Sequence, residues 1–220
     1  MLLLAFDTAT SAVTVALSDG RTVLADSTTV DGQRHAELLA PAIRKVLKEA
    51  GVDRRELTEI AVGVGPGPFT GLRVGLATAR TLGHALHIPV HGVCTLDVLA
   101  CAADEPALAE SSFLVATDAR RKEVYWARYT DRYTRVDGPH VDRPDTIATD
   151  APVVGRGARL YPSAFPRAVD PEYPSAADLA FLVAGRRVPL LPPLPLYLRR
   201  PDVAPPSPRK SVLAGRAGRT

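Results

Sequence analysis

Residues 63–75 read GVGPGPFTGLRVG, and what these glycines are for decides how the fold is read. The stretch joins a buried, strand-like run, EIAVGVG (59–65), to a run with helical spacing, TGLRVGLATARTLGHAL (70–86). Glycine-rich loops at such junctions can cradle phosphate with their backbone N–H groups. A Walker A loop carries Lys directly after its last glycine, whereas Leu72 follows Gly71 here. Pro66 and Pro68 delete two of the N–H donors that a phosphate nest would use. Thr70 reads as the N-cap of the following helix.

The small residues continue past the loop. Gly71, Gly75, Ala79 and Gly83 recur every fourth residue and make one narrow stripe on the helix. Glycine in a helix interior costs about 1 kcal/mol relative to alanine, so the stripe implies the close approach of another backbone. That backbone is either the chain's own sheet or the helix of a partner.

Upstream, LLLAFDT (2–8), AVTVALS (12–18) and TVLADST (22–28) read as three short strands with turn residues between them. HAELLAPAIRKVLKEAG (35–51) has Leu38, Leu39, Ala42, Ile43, Val46 and Leu47 at helical spacing, with Gly51 as its C-terminal cap. Pro41 inside it predicts a kink or a late start. Downstream come a strand, IPVHGV (88–93), and a short helix, TLDVLACAA (95–103). Three strands followed by helix–strand alternation predict an α/β lobe with a mixed sheet over residues 1–105. In the smaller lobe, 106–200, SFLVATD (112–118), EVYWARYT (123–130) and TRVDGPHV (134–141) form a predicted meander. APVVGRGARLYPSAF (151–165) reads as strand, glycine turn and short helix, and Ser175 starts a helix over 176–187. Eight prolines between Pro189 and Pro208 leave only extended chain, and residues 201–220 read as a disordered Pro/Arg-rich tail.

The 220 residues carry 27 basic and 24 acidic side chains. Setting aside the six cations and one acid from Arg199 to Thr220 leaves 21 basic against 23 acidic residues. The body is therefore slightly acidic, and no basic stripe of the kind that nucleic-acid-binding domains carry on folded elements is evident. No run of apolar residues approaches a bilayer span. MLLLAFDTAT lacks the basic start of a signal peptide, so a cytoplasmic chain with free thiols at Cys94 and Cys101 is expected.

Asp7 sits at a strand end, in FDTATSAVTVAL (6–17), before a small-residue turn and a returning strand. In the actin/Hsp70/sugar-kinase superfamily such a hairpin wraps ATP phosphates, and a second loop of Asp-x-Gly type completes the clamp. The candidate second loop is TDAR (117–120), where Arg120 stands in place of the glycine. Asp7, Thr8, Thr70, Asp118 and Arg120 are thus the candidate vestigial nucleotide or anion contacts. DARRKEVYWARY (118–129) reads as a solvated hairpin tip, or as a contact for a small anion or an RNA backbone. The five histidines include no i, i+4 pair on one helical face, since His87 and His91 lie past the helix at 70–86, and no G-x-S-x-G elbow is present.

LAFDTATSAVTVAL, HAELLAPAI, GPGPFTGLRVGLATARTL, PVHGVCTLDVLA, DARRKEVYWARY and PLYLRRPDVA occur in the order seen in the bacterial TsaB (YeaZ) family, which the chain closely resembles over residues 2–204. The resemblance implies an actin-like (ASKHA, ribonuclease H-like) α/β fold with a truncated second lobe. It implies a non-catalytic subunit, without cofactor, of the machinery that makes threonylcarbamoyladenosine (t6A) on tRNA. Such a subunit pairs with the catalytic TsaD, is joined by the ATPase TsaE, and reaches tRNA only through the complex. In TsaD the stretch matching GVCTLDVLA carries two metal-holding histidines four apart, and the matching positions here are Thr95 and Leu99. Family members also self-associate through the helices matching 35–50 and 70–86. The implied partner interface is His35, Leu38, Leu39, Ala42, Ile43 and Val46 on the first, with Gly71, Leu72, Gly75, Ala79 and Gly83 on the second. Against this stand an autonomous ATPase or phosphotransferase using Asp7, and a metallopeptidase, which would need zinc.

Overall fold

Leu4 and Phe6 of strand β1 (Leu3–Asp7) enter one apolar cluster while Leu3 and Ala5 enter another. A strand with both faces covered reads as a continuous apolar run, and this explains LLLAF. β1 pairs antiparallel with β2 (Ala12–Ser18) and parallel with β4 (Glu59–Gly63). With β3 (Val23–Val30) and β5 (Val90–Val93) the first sheet has the order β3-β2-β1-β4-β5. The computed structural model describes residues 1–104, 109 and 112–199.

Helices α1 (His35–Glu49) and α2 (Phe69–Leu86) cover one face of this sheet. α1 runs unbroken through Pro41, whose ring is exposed. It ends as expected at Gly51, with φ +68°, where Gly51 N–H donates to Lys48 O and Val52 N–H to Leu47 O at 3.1 and 3.0 Å. α2 begins earlier than Thr70 suggests. Pro68 is its N-cap, Leu72 N–H donates to Pro68 O at 3.1 Å, and Thr70 lies exposed in the first turn. Proline's fixed φ starts this helix without any capping hydroxyl.

The second sheet holds β6 (Phe113–Asp118), β7 (Val124–Tyr129), β8 (Arg135–Asp142), β9 (Val153–Val154) and β10 (Ala168–Val169). Its order, β10-β9-β6-β7-β8, read from β8 repeats the first sheet read from β3: two antiparallel pairs, then two parallel ones. Two sheets of this order, the second shortened, make the actin-like fold. The meander was legible in the sequence; the two-residue β10 was not. Between the sheets lie α3 (Thr95–Cys101), packed on β6 and β7, and α5 (Ala176–Ala184), which returns to the inner face of the first sheet. The short α4 (Arg156–Leu160) covers the outer face of the second.

After α5, a proline-rich strap crosses back. Leu191 exchanges hydrogen bonds with Gly92, Leu196 N–H donates to Val64 O at 2.9 Å, and Arg199 Nη1 donates to Ala119 O at 2.9 Å. The strap thereby ties the edge of the first sheet to a turn of the second. The tail at 201–220 lies outside the described residues.

Candidate functional site

The ends of β1 and β6 face one cleft, and each strand ends in aspartate. Asp7 is fully buried. Its Oδ1 accepts from Ala9 N–H at 2.6 Å and its Oδ2 from Thr95 Oγ1–H at 2.7 Å. Thr95 Oγ1 in turn accepts from Gly65 N–H at 3.2 Å, and Thr95 N–H donates to Gly65 O at 2.8 Å. A β-carbon at Gly63 would collide with the Asp7 carboxylate. Burial pushes the Asp7 carboxyl above its ordinary value, against the opposing pull of the Ala9 and Thr95 hydrogen bonds. The protein's own atoms thus close over this carboxylate on several sides.

The glycines of the loop serve this closure. A β-carbon on Gly67 would meet Ala9 O, one on Gly71 would meet Thr8 O, and one on Gly75 would meet Thr8 Oγ1 and Val62. Thr8 Oγ1 donates to Gly71 O at 2.7 Å. The loop and the first turns of α2 therefore lie directly on the β1–β2 turn.

This corrects the partner-facing reading of the stripe. Gly71, Gly75, Ala79 and Gly83 face the chain's own sheet, with Gly83 against Val90 and Ile88 O at 3.2 Å from its would-be β-carbon. Leu39, Ile43, Val46 and Leu72 belong to the core between helices and sheet. His35 is buried, with Nε2 2.7 Å from Thr10 O. Of the expected interface residues only Leu38 and Ala42 are half-exposed. The physical reason is the short distance between α2 and the strands below it, which side chains would hold open.

The second turn is different. Arg120 N–H donates to Asp118 Oδ1 at 2.8 Å, repeating the Ala9–Asp7 bond. Arg120, Arg121 and Lys122 take φ values of 60°, 54° and 61°, a left-handed run of three residues. Arg120 fills the glycine position as expected, at a cost in backbone conformation. Thr70 and Arg120 line one cavity of about 310 Å³, together with Thr10, Ser11 and His35. Asp118 and Arg120 share a smaller neighbouring cavity with Thr117 and Arg156, and Thr117 Oγ1 is buried there without a hydrogen-bond partner. Of the candidate anion contacts, Thr70, Asp118 and Arg120 line the cleft, while Asp7 and Thr8 are sealed beneath it. Thr10, Ser11 and Arg156 were missed, because only tertiary structure brings them to Arg120.

Leu99 lies fully buried in the core around α3, and Thr95 is bound to Asp7. Among the described residues no three His, Cys, Asp or Glu side chains cluster as metal ligands. Burial pushes the Cys94 and Cys101 thiols up to about 12, so neither is a nucleophile at neutral pH. Asp97 is raised by burial and accepts from Tyr129 Oη–H at 2.6 Å, a buried link between α3 and β7.

A family model described as "TsaD: tRNA N6-adenosine threonylcarbamoyltransferase" matches residues 22–194. The chain belongs to the TsaB/YeaZ family. YeaZ from Pseudomonas aeruginosa superposes with a TM-score of 0.74 at 33% identity, covering 90% of this chain and 99% of that one. An uncharacterized Mycobacterium leprae protein is 44% identical over 209 residues, 93% of this chain and 56% of its own length. The Escherichia coli "tRNA threonylcarbamoyladenosine biosynthesis protein TsaB" is 38% identical over 129 residues, 59% of this chain and 55% of its own. The chain spans about half the length of these two curated relatives.

Proposed function

We propose that the chain is a non-catalytic, activating subunit for t6A synthesis, which pairs with TsaD for threonylcarbamoyl transfer to adenosine in ANN-decoding tRNAs. The observation that carries this reading is the sealed β1–β2 turn. Thr95, at one of the two positions matching TsaD's metal-holding histidines, commits its hydroxyl to the Asp7 carboxylate, and Leu99, at the other, is core. The residues that would work in a relative here hold the fold together. Asp7 gives no support to an autonomous ATPase, since both of its oxygens are engaged inside the protein.

The pairing surface proposed is the outward side of α1 and α2. Leu38 and Ala42 on α1, with Val74, Thr78 and Leu82 on α2, are half-exposed, and Ala77 is exposed beside them. A shallow groove of about 870 Å³ runs along the C-terminal half of α2, past Ala77, Arg80 and His84. TsaE joins the pair, and without TsaD the same surface supports a homodimer. No helix among the described residues is long and apolar enough to cross a membrane, and the proposed work places the chain in the cytoplasm.

Ala77→Arg tests the reading. Interface anchors cost about 2 kcal/mol when disrupted, so co-purification with TsaD and reconstituted transfer should fall at least about tenfold. The melting temperature of the isolated chain should stay unchanged. Transfer that needs no such chain, or a wild-type chain that never retains TsaD, would overturn the proposal.

A further inference from the structure

Phe69, at the start of α2, stacks on Tyr197 of the strap with ring centroids 5.3 Å apart and planes inclined by 23°. The Arg73 guanidinium lies over the Phe69 ring, 3.5 Å from its centroid, and its Nε donates to Tyr197 Oη at 2.9 Å. Tyr197 is 38% exposed. This ring is fixed on three counts, by strap, helix and guanidinium, yet it stays at the surface. Opposite, across a groove of about 350 Å³, stand Arg120 and Arg121 of the β6–β7 turn, and Arg199 lines its end. The left-handed run at 120–122 presents three successive cations in a conformation that L residues avoid.

The charged side chains in and beside the groove are mostly basic. Asp118 lies 3.6 Å from Arg120, and Glu123 pairs with Arg199. Arg73 and Lys122 add positive charge beside these two pairs. The basic part of the sequence then continues from the same place: Arg200, Arg209, Lys210, Arg216 and Arg219 follow Arg199, against Asp202 alone. A surface that pairs an exposed aromatic ledge with guanidinium groups suits an unpaired base and its flanking phosphates. A duplex would hide its bases from the ring. An acidic peptide would use the cations and leave the ledge idle.

We propose that this groove binds single-stranded RNA, with a base on the Tyr197–Phe69 ledge and phosphates at Arg120 and Arg121. The inference rests on the reading of the chain as a subunit of a tRNA-modifying assembly, and adds to it a direct contact with the substrate. It also revises the expectation that tRNA is reached only through the partner.

The test uses the full-length chain alone, with a fluorescein-labelled single-stranded RNA decamer of mixed sequence, the matching duplex, and inorganic polyphosphate. The decamer should bind more tightly than the duplex. Tyr197→Leu should weaken it at least about fivefold, while Tyr197→Phe, which keeps the ring, should bind like the parent. Arg120→Gln with Arg121→Gln should reduce the slope of log affinity against log salt by about 1.4. Melting temperatures of all variants separate these effects from folding. Three results would overturn the inference: no decamer binding; polyphosphate binding as tightly with Tyr197→Leu silent, which means an anion site only; or loss confined to Arg209→Gln, Lys210→Gln, Arg216→Gln and Arg219→Gln, which means the tail acts alone. Retention of TsaD by the same preparations tells failure of this inference from failure of the subunit reading.

Discussion

The two sheets have one connectivity and two fates. In the first, β1 is followed by a turn whose aspartate is closed over by Gly63, Thr95 and the glycine loop. In the second, β6 is followed by a turn whose aspartate makes the same hydrogen bond two residues on, but which brings Arg120 to the cleft and carries three successive cations. The covering elements differ in the same sense: α2 has 18 residues and α4 five, while β9 and β10 have two residues each. A repeated architecture was thus split, one half filled in to make a rigid body and the other cut down to leave a charged turn. The difference shows that similar strand order fixes where a site can be, while local packing decides whether anything can enter it.

The largest expected effect comes from forcing the two helix–strand contacts apart. Gly75→Leu drives a side chain into Thr8 and Val62 beneath α2. Overpacking of this kind should cost about 3 kcal/mol, roughly 6–12 °C in melting temperature. In the second lobe, Gly157 stands in the matching place, with its would-be β-carbon 2.9 Å from the Ala116 backbone. Gly157→Leu should cost roughly half as much, since a five-residue helix can move off its sheet at less loss of burial. Equal losses by thermal denaturation would mean that the second lobe is as firmly packed as the first. Normal melting of Gly75→Leu, with lost association, would restore the partner-facing stripe.

That stripe also marks how far the sequence could be read. Period and turn residues were enough for β1–β3, α1 and the meander, because each signal is local. Glycine spacing was enough to show that something approaches α2 closely. It carried no information on what approaches, since Thr8 and Val62 reach it only through the parallel pairing of β1 with β4. The bond between Thr95 and Asp7 spans 88 positions, and no pattern announces it. Thr70 misled as a helix start because Pro68 needs no hydroxyl to begin the helix. β10 was invisible because two residues have no periodicity.

A second, intermediate effect concerns the sealed carboxylate. Burial raises the Asp7 carboxyl above its ordinary value near 3.8, so the folded chain holds that proton more tightly than the unfolded chain does. This group's contribution therefore falls as pH rises from that ordinary value through the raised one. Asp7→Asn removes the charge and keeps the shape. It should melt higher than the parent at pH 7, with the difference shrinking as the pH drops toward the ordinary value. Asp118→Asn, at the matching place in the second lobe, serves as the control. A variant that melts lower at pH 7 would mean that the two hydrogen bonds accepted by the carboxylate, of which an amide can keep only one, outweigh the cost of its burial.

The smallest expected effect tests whether the open turn is under strain. Lys122 has φ +61° and its side chain is exposed, so its backbone conformation accounts for most of what a substitution there would change. A left-handed conformation costs an L residue about 1–2 kcal/mol that glycine does not incur. Glycine offsets part of this by loosening the unfolded chain, by about 0.4–1 kcal/mol. Lys122→Gly should therefore raise stability by roughly 0.5 kcal/mol, read as a small shift of the denaturant midpoint at unchanged slope. Because it removes one of the turn's three cations, the same variant should weaken binding of the RNA decamer at low salt. A gain in stability with a loss in binding would show that the turn keeps an unfavourable backbone to hold its charge toward the cleft. A loss of stability would show instead that Lys122 makes a contact worth more than the strain, and that the second turn is as much a part of the packing as the first.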